Sequence, residues 1–352
     1  MDLSIIIPVF NVEKYIRPCI ESVYQQGLND ADFEVIIVND GTKDHSMEVI
    51  ADIIQQHCNI IVINQENLGL SMARNNGMTK ATGEYIMFID SDDLLIENSI
   101  PYLLHKAISS KADLVVADFL KMNDWQIVQF PITPFKQKDG NTLEKTGKEL
   151  LLQDLNPHSC HVWRTLYSNH FLTQNNIKFI PNICYEDIPF THQCYLKAKG
   201  CLRVNWIFLI YRKGHSSITT SFNKKKGIDY CFAIAEIWKY SNEENLDHQI
   251  IKKLRDDSFV HYSVLVYSLT TNTTTSLSEK MYVLNHLKKY APDMSFQNGT
   301  KQKIVTFLYQ KIPTTYIILR TIYAKYLQEF IWKSRKALNY RHKSLHYNRH
   351  SS

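Results

Sequence analysis

Five short runs rich in Ile and Val punctuate the first 120 positions: LSIIIPV (3–9), FEVIIVND (33–40), NIIVIN (59–64), EYIMFID (84–90) and DLVVADF (113–119). Most lack polar-apolar alternation, the mark of strands covered on both faces in a parallel sheet. Between them lie helix-like patterns near 12–26, 44–57, 69–81 and 97–109. Strand and helix in alternation predict right-handed βαβ units and a doubly wound α/β fold. From 121 to 146 the pattern loosens around Pro131, Pro134 and Gly140, predicting loops or a small irregular subdomain. Helices are expected again near 147–155, 161–175 and 187–199, with a strand at 201–211. From about 223 the pattern is helical, broken near Pro292 and Pro313. The expected organisation is an α/β domain over 1–220, divisible at about residue 120, then a mainly helical C-terminal region over 221–352.

Size and composition agree with a globular chain: 352 residues, 44% hydrophobic and 21% charged. No apolar run reaches the length of a membrane-spanning helix. The opening MDLSIIIPVF lacks the basic region and cleavage site of a signal peptide. Seven cysteines without a CxxC pair read as reduced thiols. Together these predict a cytoplasmic protein.

The net charge of +5 is unevenly spread. Residues 301–352 hold eleven Lys or Arg and one acid, Glu329, whereas the first 300 residues sum to −5. A basic tail of this kind seeks an anionic partner. Within it, Tyr316, Leu319, Tyr323, Tyr326, Leu327 and Phe330 recur at three- and four-residue steps. That pattern fits an amphipathic helix at the inner face of a membrane, or equally a helix packed on the rest of the chain. No nucleic-acid-binding module is present, so nucleic acid is not an expected partner.

In open parallel sheets ligands bind beyond the carboxyl ends of the strands. Polar residues collect there: Asn11 after the first strand, Asp40-Gly41-Thr42 after the second, Asn64 after the third, and Asp90-Ser91-Asp92-Asp93 after the fourth. Taken singly, Asn11 and Asp44 read as helix caps, and Asp93 as the cap of the helix that follows. Taken together they predict a site. If the chain stays extended past Ile89, Asp90 and Asp92 point the same way, with α-carbons roughly 6.5–7 Å apart. Both could then serve one hard cation, which offsets their repulsion. Neither GxGxxG after the first strand nor GxxxxGK[ST] occurs, which disfavours dinucleotide oxidoreductases and phosphate-loop ATPases. His158, Cys160, His161, Cys184 and Cys194 lack the spacing of a zinc site and read as residues of the core or of an acceptor cleft.

The segments IIIPVFN (5–11), VNDGTKD (38–44), NLGLSMARNNGMTKATGEYIMFIDSDD (67–93), HVWRTLYSNHFL (161–172), YEDIPF (185–190) and YRKGHSSIT (211–219) resemble the family 2 inverting glycosyltransferases of bacterial surface-polysaccharide type. The resemblance covers about the first 220 residues. It implies the GT-A fold, a Rossmann-like, mostly parallel sheet with flanking helices, with residues 1–120 as the nucleotide-binding half and 121–220 as the acceptor-side half. Pro8, Val9 and Phe10 would face a uracil ring and Asp40 would bind its N–H. Arg74 would lie near the diphosphate, and Asp90-Ser91-Asp92 would occupy the family's D-x-D position. There Asp92, with Asp90, would hold Mn2+ or Mg2+, and Asp90 and Ser91 would contact the nucleotide. His215 would complete the metal shell. Asp187, with Glu186 as understudy, would be the catalytic base. Phe10 and Asn39 stand where many members have Tyr and Asp.

The implied activity is metal-dependent, inverting transfer of a sugar from a nucleoside-diphosphate donor, UDP-linked by preference, to a hydroxyl of a glycan or lipid-linked oligosaccharide. Two alternatives stay open from the residues: a nucleotidyltransferase, which would release pyrophosphate, and a sugar-nucleotide-binding scaffold without activity.

Overall fold

The computed structural model describes residues 1–129, 141–214, 222–272, 274–296, 299–324 and 326. The chain divides into two compact units, Met1–Thr220 with Lys239–Leu254, and Ser221–Trp238 with Arg255–Ser352.

Among the described residues, the first unit is built on a nine-stranded sheet. Its strands are β1 (Leu3–Val9), β2 (Phe33–Asn39), β3 (Ile60–Asn64), β4 (Tyr85–Phe88), β5 (Leu94–Leu95), β6 (Leu114–Asn123), β7 (Thr142–Lys145), β8 (Thr165–Ser168) and β9 (Cys201–Lys213). They lie in the order β3-β2-β1-β4-β8-β6-β9-β5, with β7 paired to β9. The run β3-β2-β1-β4 is parallel, as its apolar composition predicts. The rest is mixed: β8 is antiparallel to β4 and β6, and β9 is parallel to β6 but antiparallel to β5 and β7.

Every residue of β1 is buried, consistent with layers on both faces. The helices of this unit are α1 (Ile16–Tyr24), α2 (Ala51–Gln56), α3 (Leu70–Met78), α4 (Ile100–Ser110), α5 (Asp124–Gln129), α6 (Gly147–Gln153), α7 (Asn169–Gln174) and α8 (Asp187–Lys197). α1 buries Ile16, Cys19, Ile20 and Val23, a stripe at three- and four-residue steps. α3 approaches β1 so closely that a β-carbon on Gly77 would stand 2.5 Å from Ile6 Cγ2. Only glycine fits that crossing.

Three elements differ from expectation. The stretch 161–175 is not one helix: TLYS forms β8, which fills the gap between β4 and β6, and Ser168 then caps α7 by accepting from the Phe171 amide. Backbone pairing on both sides of β8 outweighs local helical periodicity. The helix expected from residue 44 starts only at the 3-10 turn Glu48–Ile50, because the Asp44 carboxylate organises the preceding loop. β6 continues to Asn123 beside the long β9, and α5 and β7 occupy part of the stretch expected to be irregular.

The second unit is helical. It holds most of α9 (Lys224–Tyr240) and α10 (His248–Thr271), then α11 (Leu277–Tyr290) and α12 (Thr300–Lys311). Residues 313–324 are also helical. Cys231, Ile234, Leu265, Leu269, Val283, Leu284 and Leu287 are buried within it. Among the described residues no helix is long and apolar enough to cross a membrane.

Candidate active site

The carboxyl ends of β1 and β2 are tied together by side chains. Asn11, in the left-handed region at φ 54°, accepts from the Lys43 amide at 3.0 Å, and its own amide donates to Thr42 Oγ1 at 2.8 Å. Asp44 accepts from the Glu13 amide at 2.9 Å and the Ser46 amide at 3.0 Å. These bonds, with those from the Ser46 and Thr42 hydroxyls, hold the Asp44 carboxyl down at about 2. Neither Asn11 nor Asp44 is a helix cap; both fix the turns that flank the sheet's mouth.

Of the three residues expected to face a nucleobase, only Phe10 offers its side chain to solvent, at 36% exposure. Pro8 is buried, and Val9 belongs to the hydrophobic core, so its contribution there is limited to backbone. Asp40 is also buried. Its Oδ1 accepts from Gln65 Nε2 at 2.7 Å and the Leu68 amide at 2.8 Å, and its Oδ2 accepts from the Gly69 amide at 3.0 Å. Three of about four lone-pair positions are thus committed to the loop that launches α3.

After β4 the chain does not stay extended. Asp90-Ser91-Asp92-Asp93 is a tight turn in which the Asp93 amide donates to the Asp90 carbonyl at 3.0 Å. The premise that placed Asp90 and Asp92 on one side of a strand therefore fails, and the turn gathers the carboxylates instead. Ser91 is buried, whereas Asp90 and Asp92 are half-buried. Asp93 is no helix cap. It precedes β5, is fully buried, and accepts from the Arg212 amide at 2.9 Å. Burial, then the charges of Asp90 and Asp92, raise its pKa well above the usual carboxylate range.

Arg212 holds this turn from the outside. The expected strand ends at residue 211, just before it, yet Arg212 lies within β9 and is buried. Its Nε donates to the Asp92 carbonyl at 2.8 Å, its Nη1 pairs with Asp124 at the start of α5, and its guanidinium lies over the Tyr15 ring at 5.1 Å. His215, the other residue proposed from this segment, lies outside the described residues.

Arg74 connects the acidic turn to the Glu186-Asp187 pair. Its Nη2 donates to Asp90 Oδ1 at 2.7 Å and its Nη1 to Glu186 Oε1 at 2.6 Å. The guanidinium sits over Phe179 at 5.3 Å, and Phe179 stacks on Phe190 of α8, ring centroids 3.9 Å apart and ring planes nearly parallel. This aromatic stack fixes the plane of the arginine fork. Glu186 occupies the N-cap position of α8 without making a side-chain cap bond, and Asp187 begins the helix. Tyr185, just before them, has φ 66°, a strained conformation for a bulky residue and one that concentrates at functional sites.

Burial, followed by the neighbouring Glu186 charge, pushes the Asp187 carboxyl up to about 8, against the lowering influence of Arg74. Burial also raises Glu186, opposed first by Arg74. The guanidinium 2.6 Å from Glu186 favours its charged form, so of the two carboxyls Asp187 is the one that takes up a proton more readily.

The turn suits a divalent cation. Its donors are carboxylate oxygens, which fit Mg2+ or Mn2+, and Asp93 Oδ2 is buried without a hydrogen-bond partner. Among the described residues no three His, Cys, Asp or Glu side chains form a closed cage. An ion here would take its remaining ligands from phosphate oxygens and water. His161, one of the residues weighed for zinc, instead stacks on Trp163 at 4.5 Å, and burial lowers its pKa to about 4.

The sequence places Arg74 near the diphosphate but gives no sign of its bond to Glu186, and none of Arg212's part in shaping the acidic turn. Both relationships join residues more than 100 positions apart and carry no local signal.

Residues 4–166 match the family described as Glycosyl transferase family 2. The chain is 34% identical over 222 residues to the glycosyltransferase EpsJ of Bacillus subtilis (strain 168), covering 62% of each chain. It is 36% identical over 227 residues to the glycosyltransferase GlyA of Streptococcus pneumoniae serotype 4 (strain ATCC BAA-334 / TIGR4), 63% of this chain and 32% of that one. It thus spans less than two thirds of the length of these relatives. Among solved structures, S. aureus TarS 1–349 in complex with UDP-GlcNAc superposes with a TM-score of 0.68 at 20% identity, covering 92% of this chain and 89% of that one. That likeness establishes the GT-A architecture.

Proposed function

We propose, from the premise that residues 4–166 belong to glycosyl transferase family 2, that the chain is an inverting glycosyltransferase. It would move a sugar from a nucleoside-diphosphate donor to a hydroxyl of a glycan or lipid-linked oligosaccharide in surface polysaccharide synthesis. The observation that carries this reading is the Arg74 bridge. It sets a carboxylate-rich turn and a high-pKa carboxyl on either side of one buried guanidinium. A donor's diphosphate and an acceptor's hydroxyl need that combination side by side.

In this reading Asp92 and Asp90 hold Mn2+ or Mg2+, which when bound supplies positive charge to the departing diphosphate. Phe10 gives the nucleobase an apolar face, and Ser91 lies at the turn that meets the nucleotide. Asp187 takes the proton of the acceptor hydroxyl as its oxygen bonds to the anomeric carbon, while the bond from that carbon to the diphosphate oxygen breaks. Attack opposite the leaving group turns an α-linked donor into a β-linked product. Glu186, committed to Arg74, positions the pair and does not act as the base. A UDP-sugar is the proposed donor, supported by the UDP-GlcNAc bound to the structurally similar TarS. The protein would work in the cytoplasm, held at an anionic membrane surface by its basic C-terminal region.

The test is thermal stabilisation against UDP-, GDP-, dTDP- and CMP-sugars with and without Mn2+, followed by product analysis. A Mn2+-dependent shift with a UDP-sugar that disappears in Asp92→Asn is expected. No shift with any donor would count against the reading.

A further inference from the structure

The helix at 313–324 is amphipathic in the inverted sense. Tyr316, Ile317 and Ala324 turn inward and are buried, whereas Ile318, Leu319, Ile322, Tyr323 and Tyr326 are exposed, Leu319 and Tyr323 at 59% and 60%. Those positions fall at three- and four-residue steps, so they form one continuous outward face. A helix on the surface of a protein surrounded by water carries its polar residues there.

The preceding helix adds to the same character. On α12 the exposed Lys303, Ile304, Phe307 and Lys311 share one face, with Ile304 and Phe307 at 54% and 57% exposure. Scattered exposed apolar residues need no explanation, but a concentration of this kind marks an interaction surface.

Charge identifies the partner. From residue 294 to 328 there is no Asp or Glu, while Lys301, Lys303, Lys311, Arg320 and Lys325 are all basic. An apolar face edged by lysines, with aromatic rings among the aliphatic ones, meets an anionic lipid bilayer on both counts. A groove for a protein partner would not need the whole segment cleared of acids. No described helix is apolar enough to span, so the segment would lie in the interface plane.

We infer that α12 and the helix at 313–324 present a preformed docking face for an anionic membrane, with Ile318, Leu319, Ile322 and Tyr323 entering the acyl boundary and Lys301, Lys303 and Lys311 meeting headgroup phosphates. The inference deepens the membrane-facing part of the proposed function: insertion of this apolar face, rather than attraction of the basic tail alone, sets the affinity.

The test is flotation of the full chain with phosphatidylglycerol/phosphatidylcholine vesicles and with phosphatidylcholine vesicles. Wild type should float with the former and much less with the latter. Leu319→Gln with Ile322→Gln, both at exposed positions, should reduce the bound fraction by about tenfold or more. Binding in high salt should fall but persist in wild type. Failure of wild type to float with anionic vesicles would overturn the inference. So would undiminished flotation of the double variant with loss on Lys301→Gln, Lys303→Gln and Lys311→Gln, which would leave the charges alone responsible. Conversion of an oligomer to monomer by the double variant, without vesicle binding, would make the face a contact between copies and also overturn it. Donor binding measured without vesicles reads the glycosyltransferase proposal separately and should be the same in all variants.

Discussion

The Arg74 guanidinium donates to Glu186 Oε1 at 2.6 Å, across 112 positions of sequence, with both side chains almost fully buried. The same fork reaches Asp90 at 2.7 Å. Replacing Arg74 by Ala would strand two carboxylates in a low-dielectric setting, a loss of about 3–5 kcal/mol for a broken buried pair. Arg74→Lys keeps the charge but presents no planar fork to serve two acceptors. The expected order in urea unfolding is wild type, then Lys, then Ala, with transfer activity falling steeply already in the Lys variant. An Arg74→Lys enzyme with wild-type turnover would show that charge alone suffices.

Burial, followed by the Glu186 charge, pushes the Asp187 carboxyl up to about 8, so below that pH the protonated form, which cannot accept the acceptor's proton, is favoured. The rate of transfer under kcat/KM conditions should therefore climb with pH up to about 8. Stability moves the other way. A carboxyl whose folded pKa lies above its unfolded value binds its proton more tightly in the native state, so the stabilisation it provides at low pH is lost as pH rises from about 4 to 8. Asp187→Asn should abolish transfer, leave donor binding nearly intact, and be more stable than wild type at pH 8 by on the order of 1 kcal/mol. Thermal unfolding at pH 5 and pH 8 reads the second effect; a stability difference independent of pH would refute it.

What the sequence discloses and what it hides follow from range. β1, β2 and β4 were legible because each is a short apolar run whose burial needs no long-range information, and β3 because its Ile and Val run is as dense, although it lies at the sheet's edge with Ile61 exposed. The polar residues after them were legible because strand ends in such sheets have one chemical meaning. β8 was not, since TLYS becomes a strand only because β4 and β6 leave a slot on either side. The turn at Asp90–Asp93 was misjudged for a similar reason: Arg212, about 120 positions later, donates to the Asp92 carbonyl and to Asp93. Asp40 was legible as a polar residue at the mouth, but its three internal donors were not.

Those three donors give Asp40 a testable structural role. Both of its oxygens accept from N–H groups, so Asp40→Asn places an amide NH2 against at least one of them. The variant should lose about 1–3 kcal/mol of stability, the cost of an unsatisfied buried group. Nucleobase discrimination provides the contrast. If Asp40 serves mainly to hold the 65–69 loop, UDP- and GDP-sugars will weaken together; selective loss of UDP-sugar binding at unchanged stability would make it a reader of the base.

Arg212 offers the sharpest probe of the acidic turn, because it touches the turn through backbone as well as side chain. Its Nε fixes the Asp92 carbonyl, its amide fixes Asp93, and Asp124 and the Tyr15 ring fix Arg212 itself. Arg212→Lys keeps the backbone amide bond and the charge, yet loses the Nε donor and the guanidinium's contact over the Tyr15 ring. The turn would then hold Asp92 less firmly while the Arg74 bridge stays intact. Groups that orient metal ligands typically change metal affinity by about 10- to 100-fold when altered. The expected result is a rise of that size in the Mn2+ concentration giving half-maximal activity, with turnover largely recovered at saturating Mn2+. Turnover that stays low at every Mn2+ concentration would mean that Arg212 acts on the diphosphate or on the fold, and not by shaping the cation site.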